Sequence, residues 1–227
     1  MTIFVRLKPF LIAMSIILFS YGGYYYWNNY LKIVPEELLV KTVEKLATVE
    51  NYRYKVELKL IANGHERNIS SIEGERRGKE GFHLFGVIQG TPIDAYHIEN
   101  TTYLKAGEKG KWMTIPGNQV FEQDLFMIEI DPLSSLKFTK IDNLVYTGKI
   151  NYDGQKLHQL SFMSEPDHSF MNKHWFGFQY TLWLKTNGEL VKGEIAANLK
   201  ARPEDRFYMT VEITDYPAKI QLEPPVQ

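Results

Sequence analysis

Val49-Glu50-Asn51-Tyr52-Arg53-Tyr54-Lys55-Val56-Glu57-Leu58-Lys59-Leu60, closed by Asn63-Gly64, is the stretch on which the fold turns. Tyr54, Val56, Leu58 and Leu60 alternate with Arg53, Lys55, Glu57 and Lys59. A strict period of two places the apolar set on one face of a β-strand and the charged set on the other. Asn-Gly tolerates the positive φ angles of a tight hairpin, so the next strand returns antiparallel. One dry face and one wet face describe an antiparallel sheet and exclude a parallel sheet buried on both sides.

Upstream, Pro35 followed by Glu36 and Glu37 is a helix start, and Leu39, Val43 and Leu46 form one stripe, so residues 35 to 49 make an amphipathic helix. Downstream the strand grammar repeats near 66 to 75, 81 to 89, 93 to 99, 101 to 105 and 111 to 114. Residues 116 to 136 interrupt it with an apolar stretch and Asp131-Pro132-Leu133-Ser134-Ser135-Leu136, a short helix pair or covering loop. Strands resume near 142 to 150 and 156 to 164. After an irregular insertion, Ser164 to Gly177, two arms at 178 to 186 and 189 to 199 flank Asn187-Gly188, and a last strand covers 206 to 215. The fold class is therefore α+β. One strongly curved antiparallel sheet of about ten or eleven strands forms an incomplete barrel, covered by the leading helix and the central helical insertion. The Pro-rich tail, 217 to 227, is expected to be loosely held.

No residue from Pro9 to Trp27 is charged, about the ~20 residues that cross a bilayer. Tyr21, Tyr24, Tyr25, Tyr26, Trp27 and Tyr30 crowd its C-terminal end as an interfacial belt, and Arg6 and Lys8 precede it. The expected organisation is a cytoplasmic stub and transmembrane helix over 1 to 31, then an extracytoplasmic domain over 32 to 216, in a cell membrane crossed once with the N-terminus inside. A cleaved secretory signal competes with the retained anchor, since Ser20 and Gly22 supply small residues for a cleavage site.

Removing Arg6 and Lys8 from the 26 basic residues leaves 24 against 27 acidic ones in the exported part, with no basic footprint for nucleic acid. Without cysteine there is no disulfide, thiolate metal site or thiol nucleophile. The six histidines form no HExxH, and no G-x-S-x-G, P-loop or GxGxxG occurs. Asp167-His168 with His174, and the pair His83 and His97 across a hairpin, are the only hints of a metal or pH-sensing site, and both read better as ordinary loop and packing residues. No enzyme, no metal and no cofactor are expected. Asn68-Ile69-Ser70 and Asn100-Thr101-Thr102 are formal glycosylation sequons.

The order of elements resembles the LolA/LolB and LppX-like family of exported lipid or lipoprotein carriers. A helix leads into Val49-Glu50-Asn51-Tyr52-Arg53-Tyr54; Tyr103-Leu104-Lys105, a glycine loop and Lys111-Trp112 resemble the family's next hairpin. Asp131 to Leu136 resembles its short central helix, and Leu182-Trp183-Leu184-Lys185-Thr186-Asn187-Gly188-Glu189-Leu190-Val191 its later hairpin. Lys185 stands where the family commonly has Asp, and the absent lipobox cysteine fits a protein anchored by its own helix. The resemblance implies an incomplete barrel with a hydrophobic cavity and no catalytic motif. On that basis Tyr54, Val56, Leu58, Leu60, Phe82, Leu84, Leu182 and Leu184 are candidates to line an apolar groove, as against plain core. Phe170, Trp175 and Phe176 are candidates to plug the mouth or dock on lipid or a partner. The expected function is non-catalytic binding of a lipid, acyl chain or lipid-modified protein. The alternative is an envelope sensory or protein-interaction module with a filled core and no lipid ligand.

Overall fold

The computed structural model describes residues 14–24, 33–78, 81–117, 127–216 and 218–225. The chain divides into two compact units, Met1–Val34 and Pro35–Gln227. In the first, residues 14–24 are helical. Among the described residues no helix is long and apolar enough to cross a membrane. The remainder of the uncharged run lies outside the described residues.

The second unit opens with helix α1 (Pro35–Thr48), whose Pro and acidic first turn suit the positive end of the helix dipole. Strands β1 (Asn51–Ala62), β2 (His65–Arg77), β3 (Gly81–Ile88), β4 (Thr91–Ile98), β5 (Thr101–Ala106) and β6 (Met113–Pro116) follow. A covering segment made of α2 (Met127–Ile130) and a 3-10 turn (Pro132–Leu136) precedes β7 (Phe138–Tyr152) and β8 (Gln155–Pro166). Then come α3 (Ser169–His174), β9 (Trp175–Leu184), β10 (Leu190–Leu199) and β11 (Arg202–Asp215).

Among the described residues these strands form one eleven-stranded sheet in the order β6-β5-β4-β3-β2-β1-β11-β10-β9-β8-β7. Two meanders meet at an antiparallel seam between the first strand and the last, with Val56 opposite Val211 and Leu58 opposite Met209. The expected alternation holds: Tyr54, Val56 and Leu58 are buried, while Lys55 and Glu57 are exposed. On the wet face the charges pair across strands, Lys55 with Glu73 at 2.6 Å and Arg53 with Glu75 at 2.8 Å and Asp215 at 2.9 Å. A slip of one residue would break this ladder and turn the apolar set outward, so both faces specify the same register.

On the dry face Tyr54, Gly74, Leu84 and Ala95 stand in one row across β1 to β4. The Tyr54 ring covers Gly74, where a Cβ would come within 2.3 Å of Cζ, so residue 74 has to lack a side chain. The cover supplies Ile128, Ile130, Leu133 and Leu136, all buried. Three hydroxyls tie it down: Tyr54 donates to the Glu129 carbonyl at 2.6 Å, Tyr52 to Asp131 Oδ1 at 2.8 Å, and Tyr180 to the Ser135 carbonyl at 3.4 Å.

Two expectations need correction. The segment read as an irregular insertion, 164 to 177, is mostly regular: β8 runs to Pro166, α3 follows, and β9 begins at Trp175. The C-terminal tail is docked, because Ala218 N–H donates to the Asn51 carbonyl at 3.1 Å and both Ala218 and Leu222 are buried.

Candidate ligand groove

Helix α1 is held on one flank by the β9–β10 turn. Gly188 in the β9–β10 turn abuts it so closely that a Cβ there would sit 2.9 Å from Lys41 Cβ, and Lys45 Nζ reaches Glu189 Oε1 at 3.2 Å. Hydrogen bonds from Lys185, Lys45 and Asn187 outweigh burial and hold the Glu189 carboxyl down at about 2. Leu38, Leu39 and Thr42 face the sheet and are buried. Val40 and Val43 are not: they are 55% and 40% exposed, so the apolar stripe of the helix is wider than the surface that covers it.

The open flank borders a recess of about 530 Å³ lined by Leu39, Val40, Val43, Phe138, Ile141 and Leu144, with Glu36 and Glu44 at its rim. A second recess, about 400 Å³, lies between the end of α1, the start of β1 and the cover. Leu46, Tyr52, Leu133 and Leu136 give it apolar walls, and Glu50, Arg76, Asp131 and Lys137 add charge. Val43 and Phe138 line both recesses, so the two are neighbours along α1.

In the cover sits Glu129, 3% exposed, with one carboxylate oxygen accepting from Ser70 Oγ at 3.1 Å and the other without a hydrogen-bond partner among the described residues. Burial dominates and pushes its pKa up to about 7. Burial also raises the Tyr54 and Tyr52 phenols, an effect that the nearby Arg76 guanidinium opposes at both.

Tyr54, Val56, Leu58, Phe82, Leu84, Leu182 and Leu184 lie side by side on the dry face, none more than 5% exposed, and none lines either recess. Leu60, opposite Phe207, is half-buried. Phe170 and Trp175 meet edge to face at 5.5 Å, and Trp175 packs on Phe207 at 5.0 Å; Phe176 points outward, 41% exposed. The groove residues that sequence reasoning missed are Val40, Phe138, Ile141 and Leu144. Their signal was present but misassigned: Phe138 and Ile141 precede the position where alternation becomes regular, and Val40 lies beside the stripe taken for core.

The histidines do not assemble a site. His83 pairs with Tyr96 in register and His97 with Phe82, so they face opposite sides of the sheet and not each other. His83 Nε2 contacts Asp94 Oδ1 at 2.9 Å and its ring stacks on Tyr96, whereas His97 Nδ1 contacts Thr102 Oγ1 at 3.1 Å. His168 caps α3 by accepting from the Met171 N–H. Among the described residues no group of three His, Asp, Glu or Cys is placed to hold a metal.

No protein-family model matches the sequence, and no curated protein matches it. Solved structures do. LprF from Mycobacterium bovis superposes with a TM-score of 0.56 at 12% identity, over 85% of this chain and 97% of that one. The lipoprotein LppX of Mycobacterium tuberculosis superposes with a TM-score of 0.51 at 11% identity, over 83% and 99%. At such identities the likeness is one of fold: a curved antiparallel sheet with helical cover, LolA/LppX-like.

Proposed function

We propose that this chain, LolA/LppX-like in fold, is a membrane-anchored extracytoplasmic binding protein that holds an acyl chain, of a lipid or of a lipid-modified protein, without covalent chemistry. The observation that supports the reading is the pair of neighbouring recesses along α1, about 530 Å³ and about 400 Å³. Each volume falls in the ~300–1,000 Å³ range of small-molecule clefts. Its apolar part offers no hydrogen-bonding pattern to read a polar ligand, so affinity there comes from area, ~0.8 kcal/mol for each CH₂ removed from water. The expected site thus moves from the centre of the dry face to its margin, between α1 and β7. The anchor rests on the uncharged run from Pro9 to Trp27 and on Arg6 and Lys8 before it.

Native mass spectrometry of the full chain released from a non-ionic detergent, with long-chain fatty acid added, tests the proposal. The wild type should retain the ligand. Val43→Asp should weaken retention by about tenfold or more, because it sets a carboxylate against the chain. Since Val43 is 40% exposed, the melting temperature should hardly change. A folded wild type that retains no long-chain lipid would sink the reading. The alternative, a sensory or protein-interaction module, draws on one observation, that the dry face itself is filled from Tyr54 to Leu184. It would then be the better account.

A further inference from the structure

The segment that covers the dry face is also a wall of the recess beside it. Asp131, between α2 and the 3-10 turn, and Leu133, Ser134 and Leu136, within the turn, all line the recess of about 400 Å³. Whatever moves the cover therefore changes that recess.

The cover meets the sheet through Ile128, Ile130, Leu133 and Leu136, and among them it buries one acid, Glu129. Ser70 Oγ donates to one of its carboxylate oxygens at 3.1 Å, and the other has no hydrogen-bond partner among the described residues. A neutral carboxyl is tolerated in such a place, whereas a carboxylate with an unpaired oxygen is costly. The smallest rearrangement that brings it to water is a local one, lifting α2 from the sheet. Few polar ties resist this: the Tyr54 hydroxyl donates to the carbonyls of Glu129 and Ile130, and the Tyr52 hydroxyl to Asp131.

The other titratable or charged groups on the dry face beside the cover are Tyr52 and Tyr54 from β1, Arg76 from β2, His97 from β4 and Asp131 in the cover itself. Burial raises both phenols, so neither ionises near neutrality, and Arg76 keeps its charge throughout. His97 is buried, stacked on Phe82 and in contact with Thr102 Oγ1. A buried imidazole gains charge as pH falls, so it would loosen the fold in the opposite direction.

We infer that the cover is a pH-operated flap: with Glu129 protonated it closes against the dry face, and with Glu129 ionised it lifts and opens the recess that it walls. Release of a ligand by this motion rests on the acyl-binding reading; the motion itself does not.

The test is hydrogen exchange of the full chain in non-ionic detergent, corrected for the intrinsic rate, at the amides of 128 to 136. A carboxyl whose pKa is about 7 under the closed cover and 4.5 in water makes the opening constant rise about tenfold between about pH 6 and about pH 8.5. Amides of the β1–β11 seam should not share the rise. Glu129→Gln should abolish it. Ser70→Ala removes a hydrogen bond that favours the ionised form, so it should move the onset to higher pH, and it carries the test if Glu129→Gln does not fold. Monomyristoylglycerol, which does not titrate, should leave the wild type faster by the same factor over this range and leave Glu129→Gln at a constant rate. A flat opening constant in the wild type, a rise shared by the seam, or a rise that survives Glu129→Gln overturns the flap. A flap that opens while the lipid leaves at a constant rate overturns its control of the recess. Retention of no lipid at any pH overturns the acyl-binding reading, and the exchange rates still decide the flap.

Discussion

Glu129 holds a carboxyl where water does not reach, and burial outweighs the hydrogen bonds from the backbone and from Ser70, so its pKa rises from 4.5 to about 7. The raised value means that the folded protein keeps a proton that the unfolded chain has released. Between about 4.5 and about 7, stability therefore falls as pH rises, and above about 7, where both states are ionised, it levels off. The total is of order 3 kcal/mol, a large share of an ordinary domain's stability. Glu129→Gln removes the titrating group and keeps the shape. Melting of this variant should lose the downward slope between pH 4.5 and 7 and exceed the wild type at pH 8; an unchanged slope would place its cause elsewhere. Neither Glu129 nor Gly74 announces its role in the sequence. Glu129 reads as one acid in an apolar stretch, and Gly74 as a weak strand residue, because what defines each is a partner far along the chain: Ser70 for the first, the Tyr54 ring for the second.

The cover is the element that a single side chain controls most directly. The Tyr54 hydroxyl donates to the carbonyls of Glu129 at 2.6 Å and Ile130 at 3.2 Å, and α2 is too short to satisfy those groups itself. Tyr54→Phe leaves the ring on Gly74 and orphans both acceptors, a loss of about 1–3 kcal/mol. Hydrogen exchange should quicken at amides of 128 to 136 while the β1–β11 seam keeps its protection. If both change together, the cover is not a separate unit. Elements such as these were unevenly legible. Every strand could be found from period-two alternation and turn chemistry, since both are local. What covers what was not local: the stripe Leu39, Val43, Leu46 marks α1 as amphipathic, but only its tertiary packing decides that Leu39 is buried while Val43 stays 40% exposed.

At the scale of the whole molecule the same limit applies to topology. Alternation specifies that Tyr54 to Leu60 pairs with something apolar; it does not specify the last strand, 206 to 215, as that partner. The membrane arrangement is tested separately, and the chain is convenient for it because it contains no cysteine. With single cysteines introduced at Thr2 and at Lys156, an impermeant maleimide added to intact cells should label Lys156→Cys and spare Thr2→Cys. A mature N-terminus at Gly23 or Tyr24 would show instead that the apolar run is a cleaved signal. The seam also sets an order of assembly. Synthesised from the N-terminus, β1 emerges with β2 beside it, yet its other neighbour is about 150 residues behind, and pairings of such long range slow folding. Until β11 arrives, that edge waits unpaired, the position from which strands recruit the wrong partner. Arg53, Lys55, Glu57 and Lys59, set along the waiting edge, give it a row of charges that discourages other chains while the last strand is still to be made.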